Sequence, residues 1–276
     1  MTHGTFEVYV IEYAKLIRDR SIIFLGGDAK GGPQDLSGVV YLIVGQGRKI
    51  LIDGGFKQEL AKERKADWKM CPSDAIKLMG VQPEEITDLI LTHFHYDHSG
   101  NLEKFPNARI YIQQREMDYI CGPSMGIRQA AMRNSIEIKD VHQLIERLYK
   151  GDVEIIDGYT KLFGSIELYR VGGHSPGQQV VCVPTKRGTV VLASDVAHLY
   201  ENINDGRPFW VFYDLGEVFG AFRKVRSLAA EPDLVVPGHD PVVMEQYPAP
   251  KSNLKGIVAS LHEKPSFSVL KAPTNY

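Results

Sequence analysis

Strand-length apolar runs dominate the first part of the chain. Glu7–Tyr13 is rich in Val, Tyr and Ile, residues that pack well on a pleated surface. Val39–Val44 and Lys49–Ile52 follow, separated by Gly45-Gln46-Gly47; two such runs with a glycine-containing connector predict a hairpin. Between the first strand and that hairpin, Gly26-Gly27-Asp28-Ala29-Lys30-Gly31-Gly32-Pro33 reads as a loop. Pro72–Gly80 has proline early and glycine last, the punctuation of a short helix. Asp88–Thr92 is a strand candidate ending at His93, and Arg109–Ile112 is another. From Asp140 to Tyr149 the apolar residues Val141, Leu144, Ile145 and Leu148 recur at helical spacing and predict one buried face.

The second half repeats the theme. Val153–Ile156, Ile166–Val171, Gln179–Val183 and Thr189–Ala193 read as strands. Leu215, Val218, Phe219, Phe222, Val225 and Ala229 mark an amphipathic helix, and Asp233–Pro237 reads as a closing strand. Strands followed by a helix in each half predict an α/β architecture of two packed sheets flanked by helices. With no shift of composition along the chain, residues 1–276 read as one domain, and the stretch after Pro248, with Pro250, Pro265 and Pro273, as an extended wrap.

Composition narrows the class. The chain has 276 residues, 43% hydrophobic and 24% charged, which excludes disordered and collagen-like classes. Lys and Arg number 32 against 34 Asp and Glu, without the basic excess of a general nucleic-acid binder. Cys71, Cys121 and Cys182 are odd in number and show no CxxC spacing, so a disulfide framework is not expected and a reducing compartment is. No apolar run approaches the ~20 residues that span a bilayer. The first residues lack a basic stretch followed by an apolar one. The expectation is a cytoplasmic protein with no membrane partner.

The informative chemistry lies in Thr92-His93-Phe94-His95-Tyr96-Asp97-His98-Ser99-Gly100, which holds three of the nine histidines. On one helix these side chains would diverge; in a loop at a strand exit they can converge. Imidazole and carboxylate suit zinc, manganese, cobalt or iron. An isolated histidine is ordinarily a plain polar group, but four ligand-type residues packed behind an apolar strand reverse that reading. His174 after Val171-Gly172-Gly173, Asp195 after Val190–Ser194 and His239 after Leu234–Gly238 repeat the setting at other strand exits.

His-x-His-x-Asp-His at 93–98, followed by His174, Asp195 and His239, with an early Asp53-Gly54-Gly55 after a strand, resembles the metallo-β-lactamase superfamily. The resemblance implies an αββα sandwich with two divalent metal ions, zinc first among them. One would be held by His93, His95 and His174, the other by Asp97, His98 and His239, with Asp195 bridging. It further implies a bridging hydroxide as nucleophile, Asp97 as proton donor to the leaving group, and Asp53 orienting a ligand histidine rather than binding metal.

Within the superfamily, Leu51–Gly55, Gly173–Gln178 and the segment Asp195–Asn202 resemble the lactonases that open N-acyl-homoserine lactones or related rings. The alternative is a thioesterase or other ester hydrolase of the glyoxalase II type, against which the short Pro-punctuated tail speaks. A non-catalytic binding protein is a third reading, disfavoured by the complete ligand set. Many quorum-signal lactonases carry Tyr three residues after the bridging Asp; here His198 stands there, and an imidazole N–H can donate the same hydrogen bond. The expected partner is a small-molecule lactone or ester, with a homodimer as the open alternative to a monomer. Loops 22–33, 119–134 and 200–213 contribute Phe24, Met125, Met132, Phe209, Trp210, Phe212 and Tyr213, an apolar wall suited to an acyl chain or a hydrophobic ring.

Overall fold

Along β1 (Glu7–Asp19) Val8 and Val10 face one side while Tyr9, Ile11 and Tyr13 face the other, and both sets are buried. Side chains alternate along a strand, so a run that is apolar at every position belongs in a sheet covered on both faces. β2 (Pro33–Gly45) and β3 (Arg48–Ile52) repeat the pattern, with Tyr41, Ile43, Ile50 and Ile52 on one side and Val40, Leu42 and Leu51 on the other. The computed structural model describes residues 4–29, 31–127 and 131–271.

The remaining strands are β4 (Ala66–Trp68), β5 (Asp88–Ile90), β6 (Arg109–Gln113), β7 (Val153–Ile156), β8 (Tyr159–Leu162), β9 (Ile166–Arg170), β10 (Gln179–Thr185), β11 (Gly188–Ser194), β12 (Val235–Pro237) and β13 (Val258–Ser260). The first sheet runs β13-β1-β2-β3-β5-β6-β7, with β4 also on β1, and the second runs β12-β11-β10-β9-β8. Strands β3, β5, β6 and β7 are parallel to one another, as are β11 and β12. Val141 and Leu144 of helix Ile138–Tyr149 cover the outside of the first sheet with Leu89 and Ile110. Val218, Ala221, Phe222 and Val225 of helix Leu215–Leu228 join the cluster of the second sheet. The layers are therefore αββα.

Several boundaries differ from the expectation. β1 continues past Tyr13 to Asp19, paired to β2 as far as Asp19↔Pro33, with a register shift between Glu12 and Ala14. That irregularity, together with Lys15 and Arg18, breaks the alternation that local pattern can read. β2 correspondingly begins at Pro33 rather than Val39. The helix at 72–80 is a helical turn, Pro72–Ala75, running into a 3-10 turn, Ile76–Met79, that ends at left-handed Gly80. The closing strand starts at Val235, after a 3-10 turn over Pro232–Leu234. The tail is more than a wrap: β13 pairs with β1, Tyr9↔Ser260 to Ile11↔Val258. Pro273 lies outside the described residues.

Candidate metal centre

Asp53, the 93–98 loop, Asp195 and His239 all follow the carboxyl ends of parallel strands: β3, β5, β11 and β12. Ligands bind at such ends in open α/β sheets because the connecting loops converge there. Gly54 and Gly100 let two of those loops meet backbone to backbone. A Cβ on Gly54 would stand 2.1 Å from the Gly100 carbonyl oxygen, and the contact is tied by Gly54 N to His98 O and Gly100 N to Gly55 O.

The seven side chains converge. His93, His95 and His174 form one group of donors, and Asp97, His98 and His239 form another, each with its ligand atoms within 4.8 Å of one another. Asp195 lies between them. Its Oδ2 is 3.3 Å from His174 Nε2 and 3.9 Å from His93 Nε2, while its Oδ1 is 2.9 Å from His239 Nε2 and 3.3 Å from His98 Nε2. All but Asp97 are buried. The Nε2 atoms of His93, His95, His98 and His239 and Oδ1 of Asp195 are buried without a hydrogen-bond partner. Orphaned buried donors and acceptors are costly, and divalent cations fit this set because neutral imidazoles and carboxylates are their ordinary ligands.

The opposite ring nitrogens are occupied by the protein. His98 Nδ1 donates to Asp53 Oδ2 at 2.7 Å, His239 Nδ1 to Ser37 O at 2.8 Å, and His174 Nδ1 to Val211 O at 2.9 Å. Such partners fix ring orientation and leave the other nitrogen for metal. Thr92 Oγ1 links the two sheets, 2.9 Å from Asp53 Oδ2 and 2.8 Å from Ser194 Oγ. Burial, reinforced by neighbouring imidazoles, pushes His93 and His95 well below the usual range, and burial takes His174 to about 4. Burial also disfavours charge on His98 and His239, but the surrounding carboxylates, Asp195 foremost, outweigh it and raise both.

Local pattern gave no sign of Glu116. It is fully buried in helix Gln114–Ile120 and accepts hydrogen bonds from Phe94 N at 2.9 Å, Ser175 Oγ at 2.8 Å and Gly177 N at 2.8 Å. One carboxylate thus ties the loop of His93 and His95 to the loop of His174. Burial raises its pKa despite those three bonds. Tyr13, within the first strand, also reaches the site: its hydroxyl donates to the Asp97 carbonyl at 3.1 Å.

A cavity of about 210 Å³ opens onto the cluster. Its apolar wall is made by Leu16, Ile23, Leu36, Phe209, Trp210 and Val211, and His198 lines it as well. His198 is buried, its ring stacked on Phe209 with centroids 3.5 Å apart, and its Nε2 lies 3.0 Å from Asp195 Oδ2. It forms a third donor group with His174 and Asp195. Of the expected aromatic and Met side chains that are described, Phe209 and Trp210 line the cavity. Phe24 packs in a cluster with Leu16, Ile23, Leu36 and Leu199, Met125 packs under the helical layer, and Phe212 packs on the second-sheet cluster. Tyr213 meets Tyr119 edge-on, and the Met132 side chain lies outside the described residues.

A profile described as the Metallo-beta-lactamase superfamily matches residues 33–239. The chain belongs to the metallo-β-lactamase superfamily. As a member of it the protein is a metal-dependent hydrolase with the metallo-β-lactamase fold. It is 27% identical over 220 residues to the N-acyl homoserine lactonase AttM of Azorhizobium caulinodans, covering 73% of this chain and 81% of that one. It is 29% identical over 178 residues to an N-acyl homoserine lactonase of Bacillus cereus, covering 62% of this chain and 64% of that one, so the match spans under two thirds of that relative. Among solved structures, a quorum-quenching N-acyl homoserine lactone lactonase superposes with TM-score 0.68 at 24% identity, covering 87% of this chain and 94% of that one. AidC, described as a dizinc quorum-quenching lactonase, gives 0.70 at 19%, covering 87% and 90%. Among the described residues no helix is long and apolar enough to cross a membrane.

Proposed function

We propose that this single-domain protein (residues 1–276) opens the ring of a lactone, an N-acyl-homoserine lactone or a related one, at a dinuclear metal centre. The observation that carries the reading is the division of Asp195, with one oxygen toward His93 and His174 and the other toward His98 and His239. Two cations, one in each donor group, would share that carboxylate. Lactonase relatives in two genera support the substrate class. Zinc is the first metal proposed, and the same imidazole and carboxylate donors accommodate manganese, cobalt or iron.

What two bound divalent ions supply is an ionised water at neutral pH and polarisation of the acyl carbonyl. Residues of the chain do the rest. His93, His95, His98, His174, Asp195 and His239 would hold and orient the ions; Asp97, on the cavity wall, takes a proton released by the attacking water and passes it to the departing ring oxygen. Water adds to the acyl carbon, the ring C–O bond breaks, and the alkoxide takes that proton, leaving a hydroxy acid in one piece. His198 donates an N–H, either to Asp195 or to the substrate carbonyl. The apolar wall takes the rest of the small molecule. Free cysteines at 71, 121 and 182 accord with the reducing cytoplasm, and neither nucleic acid nor membrane is a partner in this reading.

The experiment is a panel of lactones of varied ring size and acyl length beside a panel of thioesters, run on protein loaded with metal and assayed for metal content. Lactone turnover with about two metals per chain is expected. Turnover of thioesters alone transfers the assignment to the glyoxalase II type, and metal content well below two per chain removes the dinuclear centre.

A further inference from the structure

Arg18 stands in the cavity wall. It lies two residues beyond Leu16 on β1, so both side chains leave the same face of the strand, and both line the cavity that holds His95, Asp97 and His174. The intervening Ile17 points out to solvent. Nη1 of Arg18 donates to Ile17 O at 3.0 Å and Nη2 to Arg64 O at 2.7 Å. Both acceptors are neutral backbone carbonyls. Among the described residues, no Asp or Glu reaches ion-pair distance of this guanidinium. Arg20, two positions further, shows the contrast: it is paired with Asp28 and Glu201.

The neighbourhood adds positive charge. Arg64 lies with its guanidinium 4.2 Å over the ring of Tyr96, another cavity residue, and among the described residues its one ion-pair partner is the exposed Glu63, at 3.5 Å. The other charged side chains in the lining, Asp97 and Asp195, belong to the metal-ligand set. Among the described lining residues, Arg18 is therefore the one charge without an assigned counterpart. A half-buried charge without a counter-ion is unfavourable, and a guanidinium presents a planar fork matched to two carboxylate oxygens. Its bonds to the two carbonyls hold it in place before any ligand arrives, which reduces the ordering cost of binding. A neutral amide carbonyl would accept one hydrogen bond and leave the charge uncompensated.

We propose that Arg18 binds a carboxylate carried by the substrate, so that the enzyme takes lactones bearing a free carboxylate in preference to neutral ones. This rests on the lactone-opening reading and narrows it: Arg18 is a specificity residue, and the favoured product is a hydroxy dicarboxylate.

The test compares γ-lactones carrying a carboxylate on the ring, or one or two carbons from it, with the matching primary amides and with N-hexanoyl-homoserine lactone. For the best-placed carboxylate, kcat/KM exceeds that of its amide by roughly ten-fold or more, the scale of a charge-assisted hydrogen bond, with the difference mostly in KM. In R18Q the ratio falls to within about two-fold, and R18K keeps part of it because the charge remains without the fork. A ratio near one throughout the series for the wild-type enzyme, or an unchanged ratio in R18Q, overturns the proposal. Calorimetry with the ring-opened hydroxy dicarboxylate separates the two readings. Binding that is weakened by R18Q, without turnover of any lactone, keeps the Arg18 site and removes the lactone-opening reading. Turnover of lactones with equal binding of charged and amide products keeps the hydrolase and removes the Arg18 site.

Discussion

Oδ2 of Asp53 accepts the Nδ1–H of His98 at 2.7 Å while Oδ1 of the same carboxylate accepts the Thr92 N–H at 2.7 Å. One side chain at the end of β3 therefore sets both the ring of His98, a candidate metal ligand, and the backbone entering the 93–98 loop. Asp53 itself sits at φ +63°, a left-handed conformation that Asp and Asn tolerate better than other side chains.

Asp53→Asn keeps the backbone preference and removes an acceptor. Its amide nitrogen must face either Thr92 N–H or His98 Nδ1–H, donor against donor. Loss of such an orienting partner typically weakens metal binding about 10–100-fold. Competition with a chromophoric chelator reads the loss, and circular dichroism shows the fold retained. Undiminished affinity means that packing alone orients His98.

Glu116→Ala leaves Phe94 N–H, the Ser175 hydroxyl and Gly177 N–H without their acceptor in a fully buried place. Unsatisfied buried donors cost about 1–3 kcal/mol each, so denaturant unfolding of the metal-free protein shows a loss of several kcal/mol. Glu116→Gln, which retains one acceptor oxygen, loses less. Equal stability of all three proteins assigns the loop junction to other contacts.

His198→Phe preserves a flat ring against Phe209 and deletes both nitrogens. If the imidazole supplies a hydrogen bond during turnover, kcat falls roughly 10²-fold, as for other single donors at a developing oxyanion. His198→Tyr then recovers much of the loss through its hydroxyl. Full activity of the Phe variant shows that His198 has no donor role.

Asp140 is buried beside Lys57, 3.1 Å away, and its pKa is raised from 3.8 to about 6 because burial outweighs the attraction of that ammonium. The folded state then holds the proton more tightly than the unfolded one between pH 4 and 6, so this residue's contribution to stability falls as pH rises through that window. Across two pH units the change is up to ~3 kcal/mol. Lys57 is charged in both states there and adds no slope. In Asp140→Asn the fall is absent, so the variant gains on the wild type from pH 4 to 7 in urea unfolding. Parallel stability–pH curves contradict the shift.

Elements with a strong local burial pattern were legible along the chain. Val141, Leu144, Ile145 and Leu148 mark a helix because burial of one face imposes a period, and Val39–Val44 and Lys49–Ile52 mark a hairpin because strands covered on both faces read as unbroken apolar runs on either side of a glycine connector. β1 beyond Tyr13, β8 and β13 were not, since their pairing depends on partners distant in the chain: Ile11 meets Val258, and β8 meets β9 with Tyr159 and Lys161 on show. Lys15, Ile17 and Arg18 carry no local sign that they continue a strand.

At the site the division has the same origin. The chain alone determined which residues are chemically able to hold cations, because imidazole and carboxylate identity is covalent and the 93–98 cluster is contiguous. Only the folded molecule decided which nitrogen of each ring is left free, that Glu116 braces two loops, that Phe24 and Met125 pack away from the cavity, and that Arg18 enters it with no described carboxylate at ion-pair distance. Those are relations between groups up to some two hundred positions apart, such as His239 Nδ1 and the Ser37 carbonyl. They exist only once two sheets have packed and brought their strand ends to one edge.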